Sequence, residues 1–251
     1  ALIDGFSVIN DPDLVRRRLG FMPDSFGAYH SMNCVEYLDF FARAYGLVGK
    51  DRMRALRHTL AFTGLDKIAE KPIRGLSKGM RQRLCLGRAM IHDPLVLILD
   101  EPANGLDPRA RIELRQMIRE LAADGKCILV SSHILTELGE MCDTIGIIER
   151  GKLLATGSVA EIQAQLRPHV DIMIEVLSGG QRLAEWLSQK PSISQVQLVD
   201  RVVRFQFMAA SQEQASLLRS LIQEGFEIVE FHTEARSLED VFLQVTTGAV
   251  Q

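Results

Sequence analysis

The chain has 251 residues, enough for one large or two small domains, and 47% of them are hydrophobic, enough to bury a real core. Its 29 basic and 32 acidic residues nearly cancel and are dispersed, which argues against a nucleic-acid partner or an anionic membrane surface. No apolar run reaches the roughly 18 residues of a membrane span and no signal peptide opens the chain, so a membrane, if involved, belongs to a partner.

Residues 1 to 30 read as a strand (ALIDGFSV), a linker from Asn10 to Asp13, a short basic segment, and a second strand ending in the turn PDSFG. The start at Ala1, without Met and already in a strand pattern, is expected of a chain that begins mid-domain. Asn33 with Glu36 makes a capping-box start, and Val35, Leu38, Phe41, Ala42 and Tyr45 follow at helical spacing until Gly46. Residues 50 to 63 and 79 to 91 are also helical, giving a helical subdomain over about 31 to 92. Leu95 to Leu99 (LVLIL) suits a strand buried on both faces of a parallel sheet. A helix (109 to 123), a strand (127 to 131) and a helix (134 to 141) follow, the alternation of a doubly wound α/β domain with ligands at the carboxyl ends of its strands.

Residues 145 to 156 read as a hairpin around Glu149-Arg150-Gly151-Lys152. After Pro168 come strand 170 to 177, helix 181 to 189, strands 193 to 199 and 202 to 208, helix 212 to 224 and strand 226 to 232. That βαββαβ order is ferredoxin-like, an α+β domain. Cys34, Cys85, Cys127 and Cys142 form no C-x-x-C pair and lie in apolar patterns, as reduced core thiols of a cytosolic protein do. Histidines 30, 58, 92, 169 and 232 show no ligand spacing and imply no structural metal.

The chemistry concentrates in LVLILDEPANGLDP, residues 95 to 108. An apolar strand ending in adjacent carboxylates places Asp100 and Glu101 at a sheet edge, where one can hold Mg²⁺ through water and the other can polarise an attacking water. About twenty residues earlier, in GLSKGMRQRL, Ser77 caps a helix whose first turn, with the Gly79 amide, makes an anion site.

These segments resemble the ATP-binding cassette (ABC) ATPases. The resemblance makes Asp100 the Walker B aspartate, Glu101 the catalytic glutamate and Ser77 with Gly79 the signature that holds the γ-phosphate of an ATP on the opposite subunit. It also makes Asn104-Gly105-Leu106-Asp107 the D-loop, with Asp107 facing the shared ATP site, and His133 after Ser131-Ser132 the switch histidine. GFMPDSFGAY (20 to 29) resembles the Q-loop region, with Asp24 replacing the usual glutamine and able to reach Mg²⁺ through water as an acceptor. Signature residues Lys78 and Met80 depart from the family's LSGGQ.

The family's phosphate loop, G-x-x-x-x-G-K-[ST], has no counterpart. Gly146 to Lys152 approximates it, but Leu153 replaces the hydroxyl and no helix follows. The resemblance therefore places the loop before Ala1, making residues 1 to 165 an incomplete P-loop NTPase domain and 169 to 251 an accessory domain like that of exporter-type cassettes, including RSLEDVFLQVT at 236 to 246. It implies an ATPase with ATP and Mg²⁺, a second nucleotide-binding subunit as homo- or heterodimer partner, and a transmembrane permease. Such a subunit is cytoplasmic and peripheral on the inner face of the cell membrane, and this chain alone would be inactive. The competing readings are a non-catalytic regulatory module and a soluble ABC-like ATPase acting on ribosomes or DNA.

A letter-perfect signature, LSGGQR, stands at 177 to 182. It joins a strand to a helix with no acidic pair after a following strand, so its glycines are expected to serve the turn and Ser178 to cap the helix.

Overall fold

The computed structural model describes residues 1–24, 27, 31–158, 161–162, 170–208 and 211–234. The chain divides into two compact units, Ala1–Met141 and Cys142–Gln251. Among the described residues no helix is long and apolar enough to cross a membrane.

The first unit opens with a tight hairpin rather than one strand. β1 (Leu2–Ile3) pairs antiparallel with β2 (Phe6–Ser7) across Asp4-Gly5, both at positive φ (49° and 79°). Two left-handed residues suit the twist of a two-residue hairpin loop, which Asp-Gly favours. The expected linker and basic segment form a helix instead, α1 (Pro12–Arg18). Proline at the first position is preset for helix, and Arg16, Arg17 and Arg18 complement the negative end of the dipole, signals that outweigh the loop-like Asp-Pro-Asp.

β3 (Leu19–Met22) leads toward the helical subdomain. There α2 (Cys34–Ala44) starts on the expected capping box: the Glu36 amide donates to Asn33 Oδ1 at 2.8 Å, and the Asn33 amide to Glu36 Oε2 at 2.9 Å. With α3 (Gly49–Phe62) and α4 (Lys78–Met90) it encloses a core that includes Tyr37, Leu38, Leu56, Leu65, Ile73 and Leu84.

β4 (Val96–Asp100), α5 (Pro108–Ala123), β5 (Cys127–Ser131) and α6 (Leu135–Met141) complete the unit. The sheet is parallel in the order β3-β4-β5. One face, with Met22, Leu97 and Leu99, packs on Leu86 and Ala89 of α4 and Leu114 and Ile118 of α5. The other face is open: in register Phe21, Ile98 and Leu129 lie side by side, Phe21 49% and Leu129 62% exposed. The expectation of a strand buried on both faces is thus met on one face only. An all-parallel sheet ordinarily has both covered. Cys127, on the open face, is exposed and Cys142 is half-buried, so only Cys34 and Cys85 are the core thiols expected.

In the second unit β6 (Ile145–Glu149) and β7 (Lys152–Gly157) pair around Arg150 and Gly151, both at positive φ. The phosphate-loop look-alike is therefore a two-residue hairpin turn. β8 (Val170–Val176), α7 (Gly180–Ser188), β9 (Ile193–Val199), β10 (Val202–Phe207), α8 (Ser211–Gln223) and β11 (Ile228–Glu234) follow in the expected βαββαβ order. Their antiparallel sheet runs β11-β8-β10-β9, and Ile172, Ile174, Val203 and Phe205 pack on Leu183, Leu187, Leu217 and Leu221.

LSGGQR occupies the β8–α7 turn, with one correction. The cap is Gly179, left-handed at φ 76°, and no side chain caps the helix, so Ser178 is not the N-cap. A side chain on Gly180 would meet Leu198 at 3.0 Å and the Asp200 carbonyl at 3.3 Å. Arg182 stacks over the Phe226 ring at 4.9 Å and donates to the Glu224 carbonyl.

Candidate functional site

Parallel pairing of β4 with β5 sets Asp100 beside Ser131 at the carboxyl edge of the sheet, side chains on the open face. Just beyond, the backbone turns: Glu101 adopts φ +46°, a left-handed conformation costing about 1–3 kcal/mol for such a residue. Its amide is held by the Ser131 carbonyl at 3.2 Å and the Ser131 hydroxyl at 3.0 Å. That hydroxyl donates in turn to Asp100 Oδ1 at 2.6 Å.

The turn aims Glu101 at the next loop, where His133 Nδ1 lies 2.8 Å from Glu101 Oε2. A carboxylate only accepts, so Nδ1 carries the proton, and Nε2 on the far side carries one only in the imidazolium. Glu101 is 23% and His133 66% exposed, so the pair is open to an incoming ligand. Ser132 holds the loop by accepting from the Ile134 amide at 3.0 Å.

The segment after Glu101 runs through the Asn104 and Leu106 turns to Asp107, which caps α5 by accepting from the Ala110 amide at 3.0 Å. Asn104 also donates to Asp24 Oδ1 at 3.2 Å, tying the end of β3 to this segment. Ser77 caps α4 as expected, accepting from the Met80 amide at 3.2 Å. Both caps lie close together: a side chain on Gly79 would meet Ala110 at 3.0 Å, and one on Gly105 would collide with the Lys78 ammonium.

The chain thus groups the expected residues into two sets. Asp100, Glu101 and His133 form one; Ser77, Gly79, Gly105 and Asp107 form the other, with Asp24 joined through Asn104. Among the described residues no hydrogen bond links Ser77 to the carboxylate set. The exposed start of α4 offers backbone amides to an anion. Sequence reading gives Ser131 and Asn104 no individual role. The signal for Ser131 is a hydroxyl at the end of an apolar strand, level with Asp100.

Comparison with known proteins identifies the family. Residues 5–104 match the ABC transporter family model, and residues 157–246 match that of the ATP-binding protein DrrA1-3-like C-terminal domain. The ABC transporter ATP-binding protein YxlF of Bacillus subtilis is 33% identical over 238 residues, 95% of this chain and 79% of the relative. The Nod factor export ATP-binding protein I of Rhizobium sp. is 31% identical over 235 residues, 93% of this chain and 74% of the relative. A solved structure of an ATP-binding subunit of an ABC transporter superposes with a TM-score of 0.58 at 32% identity, covering 65% of this chain and 68% of that one.

Proposed function

The chain belongs to the ABC transporter family of ATP-binding proteins, and from that premise we propose that it is the ATP-hydrolysing subunit of an exporter. It works with a transmembrane permease and a second nucleotide-binding subunit, at the inner face of the membrane. Residues 1 to 165 serve as the nucleotide-binding domain and 169 to 251 as the accessory domain. The observation that carries the reading is the carboxylate set: a solvent-open aspartate, and a glutamate turned by a left-handed backbone onto a histidine. Resemblance to a Nod factor export protein supports the direction of transport.

Asp100, with one oxygen engaged by Ser131, keeps hard oxygen lone pairs facing solvent, a donor set that fits Mg²⁺, and Asp24, held by Asn104, is assigned as a further acceptor. The metal, when bound, supplies positive charge against the phosphates. Glu101 accepts a proton from the attacking water, and His133 orients its carboxylate while presenting its outer edge to the γ-phosphate. Ser77 and the Gly79 amide bind that phosphate from the opposite subunit, with Asp107 bordering the shared site. ATP's other phosphates need a phosphate loop, to which no segment of these 251 residues corresponds. The open face of β3-β4-β5, ending at Asp100, supports this reading.

Phosphate release tests it, measured on the 251-residue chain, on the full-length subunit and on its Glu101→Gln variant. Turnover is expected only from the unsubstituted full-length protein. Turnover by the 251-residue chain that Glu101→Gln abolishes refutes the need for an outside loop. None from the full-length protein favours the non-catalytic module.

A further inference from the structure

Ser131 is the one side chain that touches both acidic residues of the β4 edge among the described hydrogen bonds. Its hydroxyl has one proton, and the geometry uses it completely: Glu101 N–H donates to Ser131 Oγ at 3.0 Å, and Ser131 O–H donates to Asp100 Oδ1 at 2.6 Å. Serial hydrogen bonds of this kind polarise and strengthen one another. The relay also spans the backbone position at which φ reaches +46°.

We propose that Ser131 is a positioning residue for hydrolysis, clamping the Asp100 carboxylate in one rotamer while pinning Glu101 in its left-handed turn. The proposal rests on the functional reading above. An apolar residue at 131 would keep β5 intact, since the strand's ladder uses only backbone groups, yet would release both acidic residues at once. Asp100 would be free to rotate about its side-chain torsion. Glu101 would keep only the 3.2 Å bond to the Ser131 carbonyl against the tendency of its backbone to relax. Because Ser131 reaches neither His133 nor the helix starts at Ser77 and Asp107 through any hydrogen bond among the described residues, its loss should leave the contacts proposed for the γ-phosphate in place and act only through Asp100 and Glu101.

The experiment compares Ser131→Ala with Ser131→Thr in the full-length ATPase. Threonine keeps the hydroxyl and suits a strand. For Ser131→Ala kcat is expected to fall about tenfold, the loss of one hydrogen bond to a charged group, with KM for ATP within about twofold; Ser131→Thr restores kcat. Wild-type turnover in Ser131→Ala, or an equal fall in both variants, overturns the assignment. A second readout needs no catalysis: in the 251-residue chain, amide exchange at Glu101 is expected to rise about fivefold in Ser131→Ala and not in Ser131→Thr. Equal exchange in the two variants also overturns it. Full turnover in Glu101→Gln instead refutes the functional reading alone, and the exchange measurement then still decides whether Ser131 positions Glu101.

Discussion

Leu129 offers a direct test of whether further polypeptide covers the parallel sheet. It projects from β5 onto the open face beside Ile98 and is 62% exposed within the described chain. Truncating a Leu that others enclose costs about 2–5 kcal/mol, the lost transfer energy plus the cavity left behind. At 62% exposure most of that transfer energy was never gained and no closed cavity forms, so Leu129→Ala should cost under about 1 kcal/mol in the 251-residue chain. In the full-length protein the same substitution should cost about 2 kcal/mol more. The single tryptophan, Trp186, sits against Phe226 at 5.9 Å in the second unit, so its fluorescence reports on the packing of that unit. Native-state hydrogen exchange of the β4 and β5 amides reads the right sheet, compared between the unsubstituted protein and Leu129→Ala at both lengths. The same cost in both lengths refutes the reasoning, because it means that nothing outside these residues packs on that face.

In the full-length subunit, Glu101→Gln keeps the shape beside His133 but removes the proton acceptor; kcat should fall at least about 100-fold with ATP affinity unchanged, and a loss below about tenfold argues against a general base. Ser77→Ala should cost about 1 kcal/mol in urea unfolding through the Met80 cap, whereas Ser178→Ala, which caps nothing, should stay within about 0.5 kcal/mol. Gly105→Ala is expected to destabilise by about 1 kcal/mol or more, since φ is +64° and the new methyl meets Lys78, and thermal unfolding measures it. Burial holds the His92 pKa below its ordinary value, against the opposing hydrogen bond to the Leu19 carbonyl. The unfolded ring therefore takes up its proton at higher pH than the folded one, and stability present above the ordinary value is lost as pH falls through the folded one; urea midpoints at about pH 7.5 and about pH 5.5 should show this and converge in His92→Gln.

The elements with redundant local signals were legible. Asn33 and Glu36 satisfy each other's backbone, so α2 announces its start without tertiary help, and the βαββαβ order follows from alternation alone. Helix α1, by contrast, was masked by Asp-Pro-Asp, which favours a loop and a helix start equally. The half-open β4 was invisible because an apolar run reports the residue types, not the presence of a second covering layer. Ser131's relay depends on the register Asp100↔Ser131, a long-range pairing that no local pattern encodes. The carboxylate–histidine set was legible as separate members, but the 2.8 Å contact is set by the left-handed turn at Glu101, where sequence alone would place an ordinary strand end.

The two signature-like segments show what decides between a spelling and a site. LSGGQR matches the family's letters, yet its residues are engaged in local structure: Gly179 is the left-handed cap, Gly180 clears β9 and the loop after it, and Arg182 covers Phe226. LSKGM departs at two letters, yet Ser77 caps α4 and Gly79 lies against Ala110, beside the loop that begins at the strained glutamate. Glycines admit a close approach in both places. Only at residues 77 to 79 does that approach lead to a chain of contacts, through Lys78, Gly105 and the Glu101–Asp107 segment, that ends on a carboxylate able to act on water. Ser77→Arg should therefore abolish hydrolysis in the full-length protein while Ser178→Arg spares it; the opposite result in folded variants would place the signature in the accessory domain and undo the assignment of both segments.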